Sequence, residues 1–244
     1  MHQAYKRIVE DSGKALLFVH GIVGTPNHWD PFMKFVPEDV SVYNILLDGH
    51  GKSAGDFSKT SMKNWENQVA NAVEELAIAH DEIHIVAHSL GCLLAIEQAV
   101  RHPKVTKMFL LAVPLKLFLK PKLFVNSLKV YAGKIDPQNE ELVQAVRCYG
   151  IAQDKNLFHY LGWVPRFLEL FRKIAQTRKR ISAVNIPCVA CQSDRDEMVS
   201  VNTEKILKTN KMITVVKLQN SGHYYYENND FSRLTDAFLA FLEV

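Results

Sequence analysis

Five residues, Ala87-His88-Ser89-Leu90-Gly91, limit the folds open to this 244-residue chain more than any other stretch. They stand between the apolar run Ile83 to Ala87 and the helix-like run Leu90 to Arg101. A serine on a sharp strand-to-helix turn has its hydroxyl lifted clear of the backbone, and small residues two before and two after it leave room for the turn. Ala87 and Gly91 meet that steric demand. Five residues alone are a weak pattern, because serine with small neighbours is common in turns, so the flanks carry the weight.

Tyr5 to Val9 and Ala15 to His20 are short apolar runs separated by the turn-forming cluster Asp11-Ser12-Gly13-Lys14, which predicts an opening hairpin. Val40 to Leu47 reads as the next strand. Thr60 or Ser61 can cap a helix through Trp65, Val69, Ala72, Val73 and Leu76, whose apolar positions recur at three and four. Ile83 to Ala87 and Met108 to Val113 are short buried strands on either side of the Leu90 to Arg101 helix, which His102-Pro103 ends. Late in the chain come a strand at Pro187 to Gln192, a helix at Val201 to Lys208, a strand at Ile213 to Leu218 and a helix at Phe231 to Leu242. Strands alternating with helices predict an α/β class fold, a mostly parallel sheet covered on both faces.

The alternation breaks from 114 to 183, where three helix-like pieces follow one another: Lys122 to Tyr131, Glu140 to Tyr149 and Val164 to Arg180. This segment carries 13 Lys and Arg against 5 Asp and Glu, a net +8, and the remainder carries 16 against 21, a net −5. The overall +3 therefore conceals a polarised molecule. The expected organisation is a core from 1–113 and 184–244 with a helical insertion at 114–183.

An apolar fraction of 48% with 23% charged residues is that of an ordinary soluble protein, and no stretch reaches the roughly 20 apolar residues of a membrane span. The first residues lack the apolar region of a signal peptide, so a cytoplasmic location is expected. Cys92, Cys148, Cys188 and Cys191 are too few and scattered for a disulfide framework. Cys188-Val189-Ala190-Cys191 has redox or zinc spacing but sits alone in a strand-like run, and no H-E-x-x-H spacing occurs, so no metal is assigned. Gly49-His50-Gly51-Lys52-Ser53 fails as a phosphate loop because the first glycine of that motif would fall on Leu46. The basic run Arg178-Lys179-Arg180 comes with no recognition motif and reads as a solvated helix end, not a nucleic-acid site.

Serine chemistry needs a base to take the hydroxyl proton and an acid to orient that base. On a parallel sheet these groups come from the carboxyl ends of neighbouring strands. After Gln192 lies Ser193-Asp194-Arg195-Asp196-Glu197-Met198-Val199, and after Leu218 lies Gln219-Asn220-Ser221-Gly222-His223. Asp194 and Asp196 both compete for the acid role. His20-Gly21-Ile22-Val23-Gly24-Thr25-Pro26 is a glycine-punctuated loop after a buried strand, where the backbone N–H of Ile22, freed by Gly21, can face the serine and donate to a developing oxyanion.

The chain resembles the α/β-hydrolases of the small bacterial carboxylesterase and monoacylglycerol lipase group, close to the serine aminopeptidase-like hydrolases. The resemblance rests on His20-Gly21 with Gly24-Thr25-Pro26, on Gly49-His50-Gly51, on His88-Ser89-Leu90-Gly91, and on Asp196 with Ser221-Gly222-His223. It implies an α/β-hydrolase fold with a helical cap at 114–183, Ser89 as nucleophile, His223 as general base and acid, and Asp196 as the orienting carboxylate. It also implies an oxyanion hole from the backbone N–H groups of Ile22 and Leu90. Asp196 is preferred to Asp194 because the family pattern places an apolar residue shortly after the acid, as Met198 and Val199 do. Three positions depart from the pattern: Ala87 in place of glycine, Asp48 where a proline is usual, and no proline after Val199. His20 and His50 are expected to hold loop conformation, His88 to pack or hydrogen-bond under the elbow, His84 to be a core histidine, and His28 and Trp29 to pack at a helix start.

The expected activity is hydrolysis of carboxylic esters through an acyl-enzyme, on short to medium acyl monoesters such as monoacylglycerols, with no cofactor. An aminopeptidase-like or carbon–carbon bond hydrolase is the alternative, and a ligand-binding protein on the same scaffold is the reading from another class. In the insertion, Leu115 to Val125 interleaves bulky apolar residues with lysines, and Phe158, Tyr160, Trp163, Phe167 and Phe171 crowd the later part. The plain reading is a small cap with a solvated basic exterior. The sharper one has apolar cap residues lining an acyl pocket while the basic exterior draws the protein to anionic lipid surfaces or acidic substrates.

Overall fold

The computed structural model describes residues 2–10, 12–131, 134–152, 154, 156 and 158–243. Asp11 of the expected turn and the side chains of Phe124 and Tyr131 lie outside the described residues. The first third of the chain forms β1 (Tyr5–Arg7), β2 (Lys14–Val19), α1 (Asp30–Met33), β3 (Ser41–Ile45), β4 (Lys52–Ser53), α2 (Ala54–Lys59) and α3 (Met62–Ala79). The middle forms β5 (Glu82–His88), α4 (Leu90–Arg101), β6 (Val105–Leu111), α5 (Pro121–Tyr131), α6 (Glu140–Cys148), β7 (Ile151–Ala152), α7 (Phe158–Leu161) and α8 (Trp163–Arg180). The chain closes with β8 (Cys188–Ser193), α9 (Thr203–Leu207), β9 (Ile213–Leu218) and α10 (Asn228–Glu243).

Among the described residues the main sheet has the order β1-β3-β2-β5-β6-β8-β9, and every pairing is parallel except β1 with β3. The opening hairpin expected from the sequence does not form. β3 lies between β1 and β2, in register Lys6 to Tyr43 on one side and Leu17 to Tyr43 on the other. What fixes β1 there is the next connection: Arg7 donates to the carbonyls of Pro37 and Val40, and the Val9 N–H donates to Ser41 Oγ. The Gly13 carbonyl, free of any hairpin partner, accepts the amides of Asp81 and Glu82 ahead of β5.

Strand side chains alternate between two cores, as a period of two demands. Ala15, Leu17, Val19, Ile83, Ile85 and Ala87 face Trp65, Leu76 and α4, while Leu16, Phe18, Val86 and Phe109 face Trp29, Phe32 and Phe238. α3 begins where Ser61 Oγ accepts the Asn64 N–H at 3.1 Å, the cap expected from the sequence, and its buried stripe is Met62, Trp65, Val69, Ala72, Val73 and Leu76. α4 lies sandwiched between α3 and α8, so nearly all of it is buried, and its first part, Leu90 to Ile96, reads as continuously apolar.

The segment from α5 to α8 is held against the rest of the chain in two ways. α8 packs on α4 and α3, where buried Lys173 pairs with Glu97 and, at 2.7 Å, with Glu66, and Arg178 donates to the Leu115 carbonyl. Upstream, β7 pairs in parallel with β4, and the turn before it threads between two core loops: the Gly150 N–H donates to the Val23 carbonyl at 2.7 Å and its carbonyl accepts the Gly51 N–H at 2.6 Å. A Cβ on Gly150 would overlap Thr25 and the Gly24 carbonyl, so only glycine passes there. No helix of the described residues is long and apolar enough to cross a membrane.

Candidate active site

The loops after β2, β5, β8 and β9 meet at the carboxyl end of the sheet. Ser89 caps α4 with φ 51° and ψ −118°, a conformation that costs a non-glycine residue on the order of 1–3 kcal/mol. Tight packing over-determines it. A Cβ on Gly91 would overlap the carbonyl oxygen of Val19, and one on Gly21 would lie 2.9 Å from Ser89 Cβ and 3.0 Å from His88 Nδ1. The loop after β2 is therefore pressed against the elbow, and glycine at both positions makes that approach sterically available.

The same loop makes a tight turn, with the Gly24 N–H donating to the Gly21 carbonyl and Val23 held at φ 51°. A β-branched residue resists that conformation, and His50 helps to hold it. His50 Nε2 accepts the Val23 N–H at 3.1 Å while its Nδ1 donates to the Asp48 carbonyl. His20 does likewise, with Nε2 accepting the Leu47 N–H at 3.0 Å and Nδ1 donating to Gly21. Burial, opposed by hydrogen bonds to Asp48 and Leu47, pushes the His50 pKa down to about 4; burial and then the neighbouring His50 hold His20 well below its ordinary value. Both histidines are thus neutral loop supports, as expected. Asp48 uses groups a proline lacks: its N–H donates to Gln68 Oε1 and its carboxylate accepts the Thr60 hydroxyl, binding this loop to the start of α3.

His223 is buried. Its Nδ1 lies 2.8 Å from Asp196 Oδ2, and Asp196 Oδ1 accepts the amides of Met198 and Val199 at 2.7 and 2.8 Å. Asp194 points elsewhere, exposed and paired with Lys217 at 3.1 Å. Burial alone would depress the His223 pKa, but the Asp196 carboxylate, by charge and by hydrogen bond, and then Glu197 reverse it, and the net shift is upward. Burial raises the Asp196 pKa, yet His223 and the two amides outweigh it and hold the group below the usual range. His223 Nε2 has no hydrogen-bond partner among the described residues. The imidazole is therefore oriented at one nitrogen and unpartnered at the other, while the His223 backbone carbonyl accepts from His88 Nε2 at 2.9 Å and the two rings lie 4.6 Å apart.

One contributor was not foreseen. Glu197 is buried, and its Oε2 accepts the His223 backbone N–H at 3.0 Å; burial raises its own pKa. An acidic residue beside another acid in a loop looks solvated in sequence, so nothing marked it. His88 stacks on His28 at 4.1 Å, Tyr226 Oη lies 3.1 Å from His28 Nε2, and the Tyr224 hydroxyl donates to the Ile22 carbonyl. Burial and then His223 push His28 down to about 3. His84 is the core histidine expected, its ring against Phe241 and its Nε2 3.2 Å from Glu82. The acid loop is also zipped to the start of the insertion, with Phe118 N–H to Met198 O at 2.9 Å, Lys120 N–H to Glu197 O at 2.9 Å and Ser200 N–H to Lys116 O at 2.8 Å. No group of three or more His, Cys, Asp or Glu among the described residues is placed to hold a metal, and the four cysteines are buried and unpaired.

Residues 16–232 match the family model described as the alpha/beta hydrolase family. The chain belongs to the alpha/beta hydrolase family. Its alternating sheet and the four converging loops are the α/β-hydrolase fold, and its similarities include esterases and lipases. The thermostable monoacylglycerol lipase of Bacillus sp. (strain H-257) is 24% identical over 222 residues, 88% of this chain and 84% of that protein. A probable lysophospholipase of Arabidopsis thaliana, BODYGUARD 4, is 29% identical over 111 residues, 43% of this chain, and the match spans only 26% of that relative's length. The crystal structure of the Paleococcus ferrophilus monoacylglycerol lipase superposes with a TM-score of 0.70 at 17% identity, over 99% of this chain and 98% of that one.

Proposed function

We propose that this α/β-hydrolase cleaves carboxylic esters through an acyl-enzyme on Ser89. The observation that carries the reading is the buried Asp196–His223 pair, its Nε2 unpartnered and its ring 4.6 Å from that of His88, the residue next to a Ser89 held in a strained turn. His223 takes the Ser89 proton as the hydroxyl attacks the ester carbon, and Asp196 stabilises the imidazolium. The backbone N–H groups of Ile22, in the turn pressed against Ser89, and of Leu90, in the first turn of α4, receive the oxyanion. The alcohol leaves with the proton from His223, and water activated by the same imidazole releases the acid. These steps need no cofactor.

Residues 114–183 act as the cap over the core formed by 1–113 and 184–244, rooted through α8. Tyr160, Trp163 and Phe167 turn inward against the core, so they are the residues offered to an acyl chain, whereas Phe158 and Phe171 face outward. Short to medium monoesters such as monoacylglycerols are the substrates proposed, by analogy with the lipase relatives. The basic exterior favours anionic lipid surfaces as a transient partner, and no nucleic-acid partner is proposed. Four buried, unpaired thiols suit a reducing, cytoplasmic setting. The test is a chain-length series of nitrophenyl esters and monoacylglycerols beside aminoacyl amides. Ester turnover that exceeds amide turnover is expected, and faster amide cleavage would replace this reading with the aminopeptidase-like one.

A further inference from the structure

α7 and α8 form almost one helix, because Gly162 between them keeps helical angles (φ −69°, ψ −10°). One face of it buries Leu170, Lys173, Ile174 and Thr177 on the core. The opposite face is open and carries large apolar side chains: Phe158 is 79% exposed, Leu161 65%, Val164 57%, Leu168 50% and Phe171 48%. Positions 161, 164, 168 and 171 follow the three-and-four spacing of a single stripe, with Phe158 at its leading edge. In an ordinary soluble helix such a stripe faces the core; here the core already has its own stripe on the other side.

Charge selects the occupant. Continuing along the exposed face come Arg172 and Lys179, and no acid shares it. The one acid within α7 and α8, Glu169, is turned aside, accepting the Met62 N–H at 2.9 Å and pairing with Arg166 at 2.8 Å, and Asp154 ahead of α7 is paired with His159. The whole 114–183 segment carries net +8. A second copy presenting the same face would set like charges together, and a polynucleotide would have no use for the apolar half. An anionic lipid surface satisfies both, taking the apolar side chains at the acyl boundary and the cations at the headgroups.

We propose that the outer face of α7–α8 docks the protein on anionic membranes, with Leu161, Val164, Leu168 and Phe171 entering the interface. The surface is anchored beside the site. Trp163, at the start of α8, donates to the Ala54 carbonyl and packs on Phe57 at 4.8 Å, Phe57 meets His50 at 5.2 Å, and His50 holds the Val23 amide. The biological purpose assigned to this docking, supply of lipid esters from the membrane, rests on the ester-hydrolase reading; the docking itself does not.

The experiment is flotation of the full chain with vesicles of phosphatidylglycerol and phosphatidylcholine, compared with phosphatidylcholine alone. Binding to the anionic vesicles is expected, weakened about tenfold or more by raising salt or by Arg172→Glu with Lys179→Glu. The triple variant Leu161→Ser, Leu168→Ser, Phe171→Ser is expected to lose binding by a similar factor while keeping its circular dichroism and its turnover of a water-soluble nitrophenyl ester. Equal flotation of wild type and triple variant, absence of binding by wild type, or a wild-type dimer that the triple variant abolishes would overturn the proposal. Because soluble-ester turnover is read separately, a protein that floats but does not hydrolyse defeats the enzymatic reading alone.

Discussion

Asp194 and Asp196 stand two residues apart in one loop, and the geometry assigns them opposite fates. Asp196→Asn keeps an oxygen for the amides of Met198 and Val199, so the loop should hold. The other position then presents an amide N–H to His223 Nδ1, which must accept, leaving the proton on Nε2, the nitrogen that has to receive the Ser89 proton. The wrong tautomer and the lost charge are expected to lower kcat by about 10³- to 10⁴-fold, about 4 to 5.5 kcal/mol of barrier. Asp194→Asn removes only an exposed partner of Lys217, where such a pair contributes about 1 kcal/mol or less, and kcat should stay within about twofold. The pH profile carries a second sign. Asp196 raises the His223 pKa above its ordinary 6.5, so base-form activity in wild type should be gained as pH rises through a midpoint above that value. In Asp196→Asn the residual activity should have its acid limb displaced to lower pH. The assay is steady-state hydrolysis of a nitrophenyl ester from pH 5 to 9 with thermal unfolding as control. An Asp194→Asn variant as damaged as Asp196→Asn, both folded, would refute the assignment.

Other consequences are equally direct. Glu197→Gln keeps an acceptor for the His223 N–H but removes a buried charge, so the acid limb of kcat/KM should move to lower pH while the fold persists; an unmoved limb means the carboxylate is not felt by the imidazole. Gly91→Ala drives a Cβ into the Val19 carbonyl and should cost about 3 kcal/mol or more, read as a fall in melting temperature of about 6 °C or more together with loss of activity. Lys173→Ala strands the buried Glu97 carboxylate between fewer cations and should destabilise by about 2–3 kcal/mol in urea, with kcat of the remaining folded protein little changed.

Much of the candidate site's layout was legible because the proposed chemistry would need particular residues at strand ends. The elbow declared itself through Ala87, Ser89 and Gly91, and the order Ser, Asp, His followed from strands that sequence alternation had already located. β1 was misjudged because a strand's partner is set by long-range contacts, here Arg7 on the Pro37 and Val40 carbonyls, which local turn chemistry at 11–14 does not encode. Glu197 and Gly150 were invisible for the same reason, since each acts through contacts more than twenty residues away; His28 and His88 were read as packing residues but not as each other's partners. The insertion's amphipathic helices were seen, but periodicity does not say which of two apolar faces on α8 meets the core.

The central claim is that Ser89 becomes acylated. Treatment with a fluorophosphonate, followed by intact mass and peptide mapping, measures it directly. One equivalent on the peptide containing Ser89, absent from Ser89→Ala and slowed in Asp196→Asn, is the result expected. Undiminished ester hydrolysis by a folded Ser89→Ala variant, or stoichiometric labelling at another residue, would contradict it.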